Sequence, residues 1–147
     1  MAWAESSTNL VTWVLAFGGW YAVHKATLSR ERRKEKREAA SQVCIDLRAV
    51  ERLAIDFHSA EQRNSRTATD LRQDTERLIL RLQRKPFAEL SIPLYRLIQL
   101  RRSISRHNMD PCDFSCQAPD SELVREIRNA VTDIIESIED RREQCWT

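Results

Sequence analysis

Four cysteines, three histidines and a scatter of carboxylates are the residues whose types could do chemistry in this chain of 147 residues. Cys112 and Cys116, with His107 and Cys145, would supply two or three thiolates and an imidazole, a donor set that suits tetrahedral zinc. Their C-x-x-x-C spacing is not the usual paired C-x-x-C form, and the competing reading is a set of structural thiols. A reducing compartment would keep Cys44, Cys112, Cys116 and Cys145 as thiols. On the oxidising side of a membrane, a Cys112–Cys116 disulfide would be expected instead.

Asp70 and Asp74 fall four residues apart and share a helix face, but an i,i+4 carboxylate pair in so charged a helix reads as solvated surface. His24 borders an apolar run, His58 follows Phe57, and His107 begins a loop, so each reads as a surface or packing residue rather than a base. The chain has no nucleophile elbow, no glycine-rich phosphate loop and no HExxH helix. The expectation is a protein that is not an enzyme, with no catalytic residues, no metal and no cofactor.

The elements that would position any site are helical. With four Pro and two Gly in the whole chain, and abundant Leu, Ile, Arg and Glu, composition favours helices over strands. The expected fold class is all-α: an N-terminal transmembrane helix continuing into a cytoplasmic antiparallel helical bundle. Three stretches follow, an anchor over 1–25, a basic juxtamembrane helix over 26–40, and a bundle over 41–147 with a loop at 107–120.

The anchor rests on the uncharged run from Ser6 to Val23, 18 residues that would span roughly 27 Å as a helix against a hydrocarbon thickness of about 30 Å. Ser6, Ser7, Thr8, Asn9 and Thr12 make its first third the least apolar. Trp3 lies near one end and Trp20 with Tyr21 near the other, where amphipathic rings prefer headgroups. A cleaved signal peptide would need basic residues before the run, and an interfacial helix would need charges within it. The anchor residues expected to matter are Trp13, Gly18, Gly19, Trp20, Tyr21 and Ala22, with Gly18 and Ala22 forming a small-xxx-small pair.

Lys25, Arg30, Arg32, Arg33, Lys34, Lys36 and Arg37 follow the run, against Glu31, Glu35 and Glu38. Basic residues flanking a span stay on the cytoplasmic side, which predicts an N-terminus outside and a C-terminal domain in the cytoplasm. The same block can bind anionic lipid headgroups.

Beyond it, Val43, Leu47, Val50, Ala54 and Phe57 recur at 4, 3, 4 and 3, a stripe that needs a partner helix. No break is forced until about residue 63, after which Asn64, Ser65 and Thr67 supply turn and cap chemistry and Thr67 with Asp70 has capping-box form. A second helix from about 67 to 85 carries Leu71, Thr75, Leu78 and Leu82. Pro86 suits a first turn, and Pro93 should split the third element into two unequal pieces, the later one bearing Leu94, Leu97, Ile98, Leu100 and Ile104. "HNMDPCDFSCQAPD" reads as a loop. Asp120 or Ser121 then caps a last helix to about Arg142 with Leu123, Ile127, Val131, Ile134 and Ile138 on one face.

Charge is segregated within the bundle. Arg77, Arg81, Arg84, Lys85, Arg96, Arg101, Arg102 and Arg106 stand against Glu89 alone, whereas His107–Thr147 holds four basic and ten acidic residues. Either the basic region packs near the acidic last helix or it faces an anionic partner. Nucleic acid is the lesser of those partners, since only Phe87 and Tyr95 offer rings for stacking there.

The segment "GGWYAVHKATLSRERRKEKRE", followed by an amphipathic helical domain, resembles uncharacterised bacterial single-pass membrane proteins with a short N-terminal anchor. The likeness covers about a quarter of the chain. It implies the bacterial inner membrane and, for some proteins of that build, phage-defence or toxin systems. The expected function is a single-pass membrane-anchored interaction protein that recruits a partner or self-associates at the cytoplasmic face. The alternatives are a membrane-perturbing effector and, third, an anionic-ligand or nucleic-acid binder using residues 77–106. The expected partners are accordingly the lipid bilayer and a protein, with nucleic acid behind them.

Overall fold

The computed structural model describes the backbone of residues 2–105 and 107–146, and their side chains except those of 2–12, 14, 107 and 145. Every regular element described is helical: α1 (Ala2–Ser59), α2 (Ser65–Leu82), α3 (Leu94–Ile104) and α4 (Glu122–Cys145), with short 3-10 turns at Phe87–Leu90 and His107–Met109. The chain divides into two compact units, Met1–Lys36 and Arg37–Thr147. The second is a helical bundle, as the stripes require.

The first unit is helix, the N-terminal part of α1, whose described apolar side chains are exposed. Trp13, Leu15, Phe17, Trp20, Tyr21 and Val23 are each between 62 % and 70 % exposed. Nevertheless, no helix among the described residues is long and apolar enough to cross a membrane. The physical reason lies in the run itself. Counting charges alone credits Ser6–Val23 with 18 residues, but its mainly apolar part is Leu10–Val23, 14 residues that still include Thr12. That stretch spans only about 21 Å as a helix.

In the second unit the expected stripe of α1 is all buried, from Val43 and Leu47 through Val50 and Ala54 to Phe57, with Ala40 extending it. Helix α1 ends at Ser59. The cap of α2 is Asn64, whose side chain accepts from the amides of Arg66 and Thr67, and not the Thr67–Asp70 box. Two cap signals compete here, and the earlier one wins because it satisfies orphan amides at the true start of the helix. Leu71, Thr75, Leu78 and Leu82 face the core, joined by Ala68 and Ile79. The Thr75 hydroxyl is spent on the Leu71 carbonyl at 2.7 Å, so this polar side chain is buried without cost to a partner group.

Pro93 divides the third element as its chemistry demands. The 3-10 turn Phe87–Leu90 precedes it and α3 begins directly after it. Ser91, in the joint, adopts the left-handed region at φ 49°. Helix α3 packs on α4 and α2, and the Phe87–Leu90 turn packs on the same two helices. Ser121 caps α4, accepting from the Val124 amide. The predicted face Leu123, Ile127, Val131, Ile134 and Ile138 is buried, and α4 runs three residues beyond Arg142. Trp146, packed near Phe87, closes that end of the core, and its carbonyl accepts from Arg37 at 3.2 Å.

Candidate functional site

Two stacked ring pairs lie along the N-terminal part of α1. Trp13 stacks on Phe17 at 5.9 Å between ring centroids, and Trp20 on His24 at 5.2 Å with an interplanar angle of 4°. These i,i+4 pairs arise because residues four apart are neighbours on a helix. Gly18 and Gly19 lie on the same helix, and a Cβ added at either would meet nothing within 4 Å. Ala22 is exposed beside them, as are Lys25, Arg30, Arg32, Arg33, Lys34 and Arg37, with Lys36 half-buried. The sequence therefore brings the anchor residues and the basic block onto one helix, with their side chains outside the core.

Part of the basic region packs near the acidic last helix, since α3 lies on α4, but the ion pairs of its arginines are made elsewhere. Arg81 donates to Asp46 of α1 at 2.6 Å and lies over the Phe87 ring. Arg77 pairs with Asp74 at 3.2 Å, one turn back in its own helix. Arg101 pairs with Glu76 of α2. Arg96 donates to the Asp133 carbonyl and the Ser137 hydroxyl of α4. The carboxylates that answer the basic region thus come from α1 and α2, while α4 offers a carbonyl and a hydroxyl to Arg96. Arg84, Lys85 and Arg102 remain exposed, and the side chain of Arg106 lies outside the described residues.

A largely apolar cleft lies between α2 and α3. Leu80, Leu94 and Ile98 line it, with Ile79, Leu97 and the Glu76–Arg101 pair, around a volume of about 120 Å³. Leu80 is 49 %, Leu94 61 % and Ile98 43 % exposed. Leu94 and Ile98 recur on α3 with Leu97, Leu100 and Ile104 at helical spacing. Only the last three are buried, because an eleven-residue helix presents one face to α4 and its flank to α2. Leu80 stands off the stripe of α2, and that displacement is the one sequence signal that could have marked the cleft.

The loop expected at 107–120 begins with a 3-10 turn and is latched to the bundle by His58, one of the three histidines that read as surface or packing residues. His58 is fully buried. Its Nε2 lies 3.1 Å from the Ile104 carbonyl, and its Nδ1 lies 3.0 Å from Asn108 Nδ2. A carbonyl can only accept, so Nε2 carries the proton and Nδ1 accepts from the amide. Asn108 Oδ1 in turn accepts from the Ser115 amide at 2.7 Å, and the Gln117 amide donates to the His58 carbonyl at 2.8 Å. Burial pushes the His58 pKa below its ordinary value, with the hydrogen bond to Ile104 opposing the shift.

The thiols do not assemble a centre among the described residues. Cys112 and Cys116 are exposed and free, and the Cys116 thiol donates to the Ser59 carbonyl at 3.2 Å. No group of three His, Cys, Asp or Glu among the described residues could hold a metal ion. The side chains of His107 and Cys145 lie outside that set. Cys44 is half-buried, and desolvation, then the charge of Glu139, raises its pKa against the opposing pull of Arg142 and Arg48. Asp74 is engaged with Arg77, and Asp70 is exposed. Set beside known protein families, characterised proteins and solved structures, the chain matches none of them.

Proposed function

We propose that the chain is a membrane-tethered helical interaction protein without catalytic activity. In this reading the N-terminal helix holds it in the inner membrane with the N-terminus outside, and the bundle recruits a partner or self-associates at the cytoplasmic face. The observation that carries the reading is the exposed aromatic and aliphatic surface from Trp13 to Val23, followed at once by the basic block from Lys25 to Arg37. Six such side chains gain roughly 1–2 kcal/mol each on leaving water. Each basic residue near an anionic surface adds about 1 kcal/mol.

The charge pattern favours end-on insertion over lying flat. Trp13, Phe17, Trp20 and His24 follow one another at 4, 3 and 4, and Glu31 and Glu35 continue that row. A helix lying on the bilayer by its aromatic face would press those two carboxylates toward lipid. An end-on helix leaves them in water. The short apolar stretch is then accommodated by local bilayer thinning and by drawing the Ser6–Asn9 segment into the interface.

A reporter fused after Thr147 tests the orientation, and carbonate extraction tests the tether. We expect activity only from a reporter that works in the cytoplasm, and retention of the full chain in the carbonate pellet. Release into the supernatant overturns the tether. A second reading, the membrane-perturbing effector, is favoured by the open space at Gly18 and Gly19, which would let another helix approach closely. The anionic-ligand reading loses weight because Arg77, Arg81, Arg96 and Arg101 are engaged within the bundle.

A further inference from the structure

We propose that the segment Asn108–Ser115 is an acid-released cover on the bundle, closed by neutral His58 and opened when that ring takes up a proton. The inference goes beyond the interaction-module reading and holds whatever the N-terminal helix does. Two fixed partners determine the closed state. The Ile104 carbonyl, 3.1 Å from Nε2, can only accept, and the Ser115 backbone N–H, 2.7 Å from Asn108 Oδ1, can only donate. The first requires a proton on Nε2. The second turns the Asn108 amide so that its Nδ2 faces Nδ1 at 3.0 Å, which requires that Nδ1 be bare. Both ends of this chain of hydrogen bonds therefore demand the same neutral tautomer, and His58 and Asn108 are both buried.

An imidazolium is incompatible with that arrangement. With both ring nitrogens protonated, Nδ1–H meets the Asn108 NH2 group, donor against donor. Turning the amide over would give Nδ1–H an acceptor but set the NH2 group against the Ser115 N–H, so the mismatch moves along the chain and does not vanish. Among the described residues no carboxylate pairs with the ring. Burial and the Ile104 hydrogen bond account for the displacement of the His58 pKa, with no charged group contributing. Around the latch, Arg63 of the α1–α2 turn is spent on the Met109 carbonyl at 2.9 Å, and Arg72 of α2 lies 3.8 Å from Asp110 in the segment itself. The Cys116 thiol donates to the Ser59 carbonyl, and α3 brings the Ile104 carbonyl. The Gln117 amide on the His58 carbonyl, at 2.8 Å, involves no titratable side chain and holds the far side of the segment. Opening therefore swings Phe114 off Phe57, with which it makes an edge contact at 5.5 Å.

Hydrogen exchange on the full chain in mild detergent, corrected at each pH for the intrinsic rate, tests this. From about pH 7.5 to about pH 5 the Ser115 amide should lose about tenfold in protection, because the open state accepts its proton near pH 6.5 while the closed state resists it. The Ile134 amide, in the core of α4, should stay far better protected at both ends of the range. His58→Gln, which has no ring to protonate, should show no such loss. Asn108→Asp offers one oxygen to Nδ1–H and the other to the Ser115 N–H. Its Ser115 amide should therefore stay protected in acid, and the ring nitrogen shifts of its His58 should report an imidazolium at higher pH than in the native chain. Protection at Ser115 that is flat with pH in the native protein, or that falls as steeply in His58→Gln or Asn108→Asp, overturns the proposal. So does equal protection of Ser115 and Ile134 in acid, which would mean release by global unfolding. Should His58→Gln fail to fold, the native and Asn108→Asp proteins decide the question.

Discussion

Removing the titratable ring from position 58 should change both the stability of the bundle and its response to pH. In the native protein His58 is fully buried and neutral, donating from Nε2 to Ile104 and accepting at Nδ1 from Asn108. His58→Phe keeps the bulk but strands a buried carbonyl and a buried amide. At about 1–3 kcal/mol for each group left unsatisfied, the loss is roughly 2–6 kcal/mol, a fall in Tm on the order of 10 °C or more. His58→Gln can still donate near the Nε2 position, so its loss should be nearer 1–2 kcal/mol.

The pH dependence follows from the direction of the shift. The folded pKa lies below the unfolded value, so the unfolded chain takes up a proton first as pH falls. The stabilisation is complete above the unfolded pKa of about 6.5 and is lost as pH falls toward the folded pKa, at up to about 1.4 kcal/mol per pH unit. The other groups around the latch are the Arg63 guanidinium on the Met109 carbonyl, the Arg72–Asp110 pair and the Cys116 thiol. All are common to native and substituted proteins. Thermal melts by circular dichroism from pH 7.5 to 5, in mild detergent, should show a steeper decline for the native protein than for His58→Gln. Parallel declines would refute the neutral, buried assignment of His58.

Arg96→Ala should cost about 1–2 kcal/mol in a urea melt, because it removes the guanidinium that joins α3 to the Asp133 carbonyl and Ser137 of α4; Arg96→Lys should recover only part of this. Leu97→Ala should destabilise by about 2–4 kcal/mol and Leu94→Ala by no more than about 0.5 kcal/mol, since one is buried and the other exposed although they lie three residues apart. Timed alkylation with N-ethylmaleimide at pH 7.5 should modify Cys112 and Cys116 before Cys44, following its burial and raised pKa.

Much of the bundle was legible because a stripe at 4 and 3 spacing has one use. Val43 to Phe57 and Leu123 to Ile138 could be read from period alone, and the missing amide of Pro93 located the break before α3. What period does not carry is the width of the buried stripe, so Leu94 and Ile98 looked like their neighbours Leu97 and Leu100. The charge segregation was equally visible, yet the partners chosen by Arg81 and Arg101 depend on which helices lie alongside. Those helices are α1 and α2. The role of His58 was illegible for the same reason: its partners are 46 and 50 residues away in the chain. For the N-terminal helix, absence of charge was a poorer guide than hydropathy, which the polar residues Ser6–Asn9 lower.

The latch also settles where α3 stops. A helix leaves its last carbonyls unsatisfied, and its C-terminus carries the negative end of the helix dipole. Many helices meet this locally with a glycine in the left-handed conformation, but α3 is followed by Ser105 in an ordinary backbone conformation. The carbonyl of its final residue, Ile104, receives its proton from His58 of α1 instead. Every donor in that relay points the same way, from the Ser115 amide through Asn108 and the imidazole to Ile104, so each bond polarises the next toward the dipole's negative end. The length of α3 is therefore a tertiary property, and a peptide of residues 91–106 alone should fray at the end that the intact chain holds closed.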